Sequence, residues 1–197
     1  RIIPTVVGRN YVGGLIGVNE GILLQEDTDN NSTVQGVQPT LESLVNRANV
    51  TGENYVGGIV GSHNSKSIKS CSNYGNITSE IKDASDNVTG SGYAGGITGV
   101  NESGKEISDC QNYGNVTSNY GQSGGIVGMN SGILQGCMNR SGTIKSDYAQ
   151  AGGITGINSG TIESSMNQGS VTGAVTGTER NAIGGIAGIN NGASQGI

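Results

Sequence analysis

The chain has 197 residues, with 37 Gly, 2 Pro, 3 Cys, 7 Tyr, no Trp and no Phe, and a formal net charge of −5. The acidic balance, without a Lys/Arg cluster, argues against a nucleic-acid or anionic-membrane surface as partner, and no apolar run approaches the roughly 20 residues of a membrane span. Ile, Val and Leu make only 42 of the 197 residues, a share close to that of disordered chains, yet 36 of the 42 are β-branched, which favours strands.

Taken from the start, the chain opens on Arg1 with no charged-then-apolar leader, so an internal fragment of a larger protein is expected. A glycine pair, an aliphatic residue and, two residues on, a third glycine then recur six times: GGLIG from Gly13, GGIVG from Gly57, GGITG from Gly95, GGIVG from Gly124, GGITG from Gly152 and GGIAG from Gly184. The spacings are 44, 38, 29, 28 and 32, and one unit of about 28 residues with insertions accounts for all of them. The fourth unit, GGIVGMNSGILQGCMNRSGTIKS from Gly124 to Ser146, shows three short β-like runs separated by Asn, Gly and Ser, the residues that accept turn conformations at least cost.

Short strands that cannot bury a face alone must stack, unit on unit. The predicted fold is all-β: a right-handed parallel β-helix, a three-sided β-solenoid of about six coils forming one domain over residues 1–197. Within GGI-x-G the first aliphatic residue is always Ile or Leu and its successor varies. Strand alternation then points the first inward and the second outward, with the glycines letting walls approach.

Two segments depart from the unit. An insertion over residues 26–50 contains EDTDNNST and PTLESLVNRA, in which Leu41, Leu44, Val45 and Ala48 fall at helical spacing after Pro39 and Thr40; one short helix is expected there. Glu26, Asp27 and Asp29 resemble the start of a calcium loop, but Ser32 and Gln38 stand where such a loop needs Gly and Glu, so a solvated acidic loop is the preferred reading. Residues 79–91 are expected to form a surface loop.

Aligned units place like residues in columns. Asn19, Asn64, Asn101, Asn130, Asn158 and Asn190 form one series and Asn73, Asn112, Asn139 and Asn167 another, as in amide ladders. Cys71, Cys110 and Cys137 share a position that Ser165 occupies next. Parallel Cβ vectors disfavour a bridge between them, so three reduced, inward thiols are expected, with no zinc-like Cys/His pairing. Tyr11, Tyr55 and Tyr93 precede three of the glycine pairs. They read as stacked packing, with a sugar-stacking surface as the functional alternative.

These residues resemble the GLUG repeat family, whose Gly-Leu-any-Gly core stands here as Gly14-Leu15-Ile16-Gly17. That resemblance implies a bacterial surface or secreted protein, adhesin-like or belonging to the non-catalytic part of an IgA-specific metallopeptidase, and it carries over no catalytic residue. The sequence has no H-E-x-x-H. Its single His63 lies in GSHNSK, read as a turn, its acids are scattered outside the first insertion, and Lys145 interrupts the row of Thr78, Thr117 and Thr172 that an ice-binding face would require. No catalytic residue, cofactor or metal is therefore expected. The expected function is a non-catalytic structural or adhesive segment at the cell surface or secreted; the alternative is an accessory substrate-binding region of a secreted peptidase or glycan-active enzyme. Expected partners are a host glycoprotein, immunoglobulin or glycan, and open parallel edges favour end-to-end self-association.

Overall fold

The computed structural model describes residues 3–20, 23–24, 36–37, 40–80, 92–173 and 182–196. Among them every regular element is a strand, and five stacks of parallel strands run along the chain. The third repeat shows one coil whole, as Tyr93–Gly95, Thr98–Asn101, Glu106–Ser108, Gln111–Asn112 and Val116–Ser118. Equivalent residues of neighbouring coils are Cα partners: Thr98 lies opposite Val60 and Val127, Ile107 opposite Ile68 and Leu134, and Val116 opposite Ile77 and Ile144. The chain is a parallel β-solenoid of about six coils, with each coil one sequence repeat.

The three expected runs per unit resolve into five strands because two bends interrupt them. One bend falls at the second glycine and the isoleucine of the motif, Gly58 and Ile59 in the second coil. The other falls at Ser43, Ser70, Asp109, Gly136, Ser164 and Gly196, all with φ between 47° and 62°, a left-handed corner that reverses the direction of the following side chain. Cys71 thereby turns into the same core as Ile68, and both are fully buried. Two apolar columns result: Ile59, Ile68, Cys71 and their counterparts form one, and Val56, Ile77 and theirs form the other.

The motif glycines are sites of close approach. A Cβ on Gly57 would overlap the Val60 carbonyl oxygen and lie 2.7 Å from Thr98 Cα, while one on Gly61 would lie 2.5 Å from the Tyr11 carbonyl carbon. The residue after the motif isoleucine does not face solvent as strand alternation predicts: Val60, Thr98, Val127 and Thr155 are all fully buried. The bend at Gly58 and Ile59 restarts the alternation, so two successive residues point inward. The threonines at this position satisfy their hydroxyls locally, Thr98 Oγ1 donating to Val100 O at 3.0 Å and Thr155 Oγ1 to Ile157 O at 2.8 Å.

No helix forms over Leu41, Leu44, Val45 and Ala48. Thr40–Glu42, Val45–Asn46 and Asn49–Gly52 are strands of the first coil, with Leu41 opposite Ile68, Asn46 opposite Asn73 and Val50 opposite Ile77. The corner at Ser43 sends Leu41 and Leu44 into one core, reproducing a helical spacing with strands. The expected insertion over 26–50 therefore ends earlier, since residues 40–50 belong to the column. Leu23–Leu24 pairs antiparallel with Gly36–Val37. Ser79 likewise closes the strand Ile77–Ser79 and is buried, and the rest of the expected 79–91 loop beyond Glu80 lies outside the described residues.

Candidate functional site

Asparagine occupies the same register position in five consecutive coils as Asn46, Asn73, Asn112, Asn139 and Asn167. Each Nδ2 donates to the Oδ1 of the next, at 2.8, 2.8, 3.0 and 2.8 Å in order. Each side chain also spans its own turn: Asn112 Nδ2 donates to Gly114 O at 2.8 Å, and Asn112 Oδ1 accepts from Gly114 N at 3.3 Å. The amide thus satisfies the buried backbone of one turn and ties that turn to its neighbour, a continuous polar network inside the column.

The second series has an unexpected rung. His63, and not Asn64, is the register partner of both Asn19 and Asn101. It sits in the strand Val60–His63 and is fully buried, whereas the sequence placed it at a turn. Asn19 Nδ2 can only donate, so the 3.2 Å contact makes His63 Nδ1 the acceptor and leaves the ring proton on Nε2. His63 Nε2 and Asn101 Oδ1 make no hydrogen bond among the described residues. Below the histidine the ladder resumes through Asn101, Asn130, Asn158 and Asn190 at 2.9, 2.8 and 2.8 Å. Burial lowers the imidazole pKa to about 4, against the pull of the Glu106 backbone and with the help of Lys105.

Cys71, Cys110 and Cys137 are free and buried, as expected. Cys71 N donates to Cys110 Sγ at 3.3 Å, and Cys137 N to Ser165 Oγ at 3.1 Å; Leu44 packs against the same core in the first coil. Contact with the Cys137 and Cys71 thiols, together with burial, pushes the Cys110 thiol up from its ordinary value and keeps it protonated. Among the described residues no group of three or more His, Cys, Asp or Glu side chains is placed to share a metal ion. Glu26, Asp27 and Asp29 lie outside the described residues.

The tyrosines stack ring on ring, at centroid distances of 4.9 Å for Tyr11 and Tyr55, 5.6 Å for Tyr55 and Tyr93, and 4.5 Å for Tyr74 and Tyr113. Arg47 caps Tyr74 at 4.9 Å, and a third stack of Tyr120 and Tyr148 was not singled out in the sequence. Within each stack the facing rings cover one another, which agrees with the reading of these tyrosines as stacked packing along the column. The outward threonine row gains Thr51 above Thr78 and Thr117, with Lys145 still between Thr117 and Thr172 and paired to Asp147 at 2.7 Å.

Beside the first tyrosine stack lies an open cavity of about 360 Å³, lined by Tyr11, Tyr55, Glu20, Glu102, Ser62 and Asn64, with Val18 completing the wall. Glu20, Asn64 and Glu102 directly follow the buried rungs Asn19, His63 and Asn101, so the column lines them up on successive coils. Backbone bonds fix that alignment, Asn64 N donating to Asn19 O at 2.9 Å and Glu102 N to His63 O at 3.1 Å. Comparison with protein-family models, curated proteins and solved structures returns no match for this chain.

Proposed function

We propose that this chain is a non-catalytic structural or adhesive β-solenoid segment of a bacterial cell-surface or secreted protein. The observation that carries the reading is that the repeated polar residues are used to hold coil to coil. Asn46 to Asn167 bond to one another and to their own turns, so the conserved pattern within the chain builds a rod and leaves recognition to its outward positions. The resemblance of Gly14-Leu15-Ile16-Gly17 to the GLUG core points the same way. The purified chain, presented to immobilised host glycoproteins, immunoglobulin and glycans, is expected to bind at least one class saturably while leaving each chemically intact. Cleavage of a peptide or glycan in that panel by the chain alone would overturn the reading, and absence of all binding would remove its adhesive half.

A further inference from the structure

We propose that the outer face carrying Arg47, Tyr74, Tyr113 and Arg140 docks an extended acidic peptide segment of a partner protein, lying along the column with carboxylates at positions i and i+4. Each of the four side chains follows a rung of the ladder from Asn46 to Asn139, so register stacks them on successive coils. The two cations stand at the ends of the row, three coil spacings or about 14 Å apart. In an extended peptide, residues i and i+4 share a face at a separation of about 13 to 14 Å. The side chain at i+2 then falls between them, over the tyrosine pair.

Both arginines are held in place and lack a carboxylate. Arg47 lies over the Tyr74 ring at 4.9 Å, and Arg140 Nε donates to Gln111 Oε1 at 3.3 Å, an acceptor shared with Tyr113 OH at 2.7 Å. Neither forms an ion pair among the described residues, so the guanidinium forks remain for a partner's carboxylates. The surroundings select the same charge. Alternation turns four columns outward here, those that start at Val45, Arg47, Asn49 and Thr51, and no Asp or Glu occupies any of them in a chain with 15 such residues and a net charge of −5. Lys145, the third cation in these columns, is already paired with Asp147. Beside the arginine column, Asn49, Asn76 and Asn115 each give Oδ1 to a backbone N–H of the next coil, at 2.9, 3.1 and 2.9 Å. The group left over on each amide is Nδ2, a donor.

The column on the other side of the arginines favours a protein partner over a glycan. Val45 and Met166 stand in it at 47 % and 48 % exposure, with Met138 between, and Tyr74 in the next column is 48 % exposed. In these two columns Tyr, Met and Arg occur without Lys, Asp or Glu, the composition of a protein interface core.

The face is tested by titrating the full chain with acetyl-Ser-Glu-Ser-Leu-Ser-Glu-Ser-amide, a glutamine-for-glutamate counterpart, an isomer with adjacent glutamates, and trigalacturonate, following the Tyr74 and Tyr113 ring resonances by NMR. The first peptide is expected to give saturable shifts, weaker at high salt. Affinity should fall about tenfold or more for the glutamine peptide and for Arg47→Gln/Arg140→Gln, and severalfold for the isomer. Lys66→Gln/Lys69→Gln, which removes two exposed cations elsewhere on the surface, should leave binding unchanged. Equal affinity for the glutamine peptide, an unaffected double arginine variant, or no shift at about millimolar peptide would overturn the proposal. So would tighter binding of trigalacturonate, which would make the face a site for an acidic glycan. The proposal deepens the adhesive reading, and the two fail separately. A double arginine variant that binds the glycoprotein, immunoglobulin and glycan panel as the parent does overturns this face and leaves adhesion standing, whereas a parent that binds the peptide and nothing in the panel supports the face and removes adhesion.

Discussion

Among the described members of the buried rung series only His63 titrates, and its position turns a single side chain into a determinant of acid stability. The folded protein holds the ring at a pKa of about 4, below its ordinary 6.5, because burial strips water from the charged form and Lys105 adds to the effect. The neutral ring is the form that fits. Its contribution is therefore complete above pH ~6.5, is lost as pH falls toward 4 and is flat below that, amounting to roughly 3 kcal/mol over the window. Urea denaturation of the parent and of His63→Asn at neutral pH and near pH 4 separates this from carboxylate titration: the variant, with an amide in the rung, should lose clearly less stability on acidification. Identical losses would show that His63 is not the titrating rung. Glycine gives a sharper residue-scale contrast. A Cβ on Gly125 would overlap Gly153 O and lie 2.8 Å from Asn139 Cβ, whereas one on Gly185, the same motif position in the last coil, would meet nothing within 4 Å. Gly125→Ala is expected to cost about 3 kcal/mol or more, and Gly185→Ala to change stability by no more than about 0.5 to 1 kcal/mol. Thermal denaturation of the two variants decides it, and equal effects would contradict the packing described.

At the scale of one coil, the amide ladder is the element on which cohesion depends. Asn112 makes four hydrogen bonds, two to Gly114 in its own turn and one each with Asn73 and Asn139. Truncation to alanine leaves donors and acceptors of three coils unpaired inside the column, so Asn112→Ala should destabilise by about 3 kcal/mol, while Asn64→Ala, exposed and off the ladder, should be near neutral. A small effect at Asn112 in urea denaturation would demote the ladder to decoration. The same elements show what the sequence makes legible. The period, the coil count, the cysteine column and the series from Asn73 to Asn167 follow from spacing alone, because stacking in register repeats residue types. The bends do not. Ser43 and Ser70 give no compositional sign of their left-handed φ, so the burial of Thr98 and the strands at Leu41 and Val45 could not be read from alternation. His63 was hidden by its neighbour: with Asn64 adjacent, matching like with like chose the wrong residue by one position. The cavity was legible only in part, through the tyrosine column, since bringing Glu20 and Glu102 together required the register around His63.

Across the described coils, core residues are buried more deeply in the interior of the column than in its first and last members. The motif aliphatic position is fully buried at Ile59, Ile97, Ile126 and Ile154 but 47 % exposed at Leu15, and among the described residues the outermost strands of each parallel sheet are paired on one side only. Unpaired parallel edges over an open apolar column invite a second copy. Sedimentation of the chain is expected to show concentration-dependent end-to-end association, and a strictly monomeric profile at high concentration would remove it. The central claim, that each sequence repeat is one coil hydrogen-bonded in parallel to the next, is tested most directly by trans-hydrogen-bond scalar couplings in the NMR spectrum of the labelled chain. Couplings are predicted from Ile59 N to the carbonyl of Ile97, Ile97 N to Ile126, Ile126 N to Ile154, and Ile154 N to Ile186, where the N to O distances are 2.9, 2.9, 2.8 and 2.8 Å. A ladder of couplings confined within single repeats, as hairpins would give, would contradict the stacked solenoid.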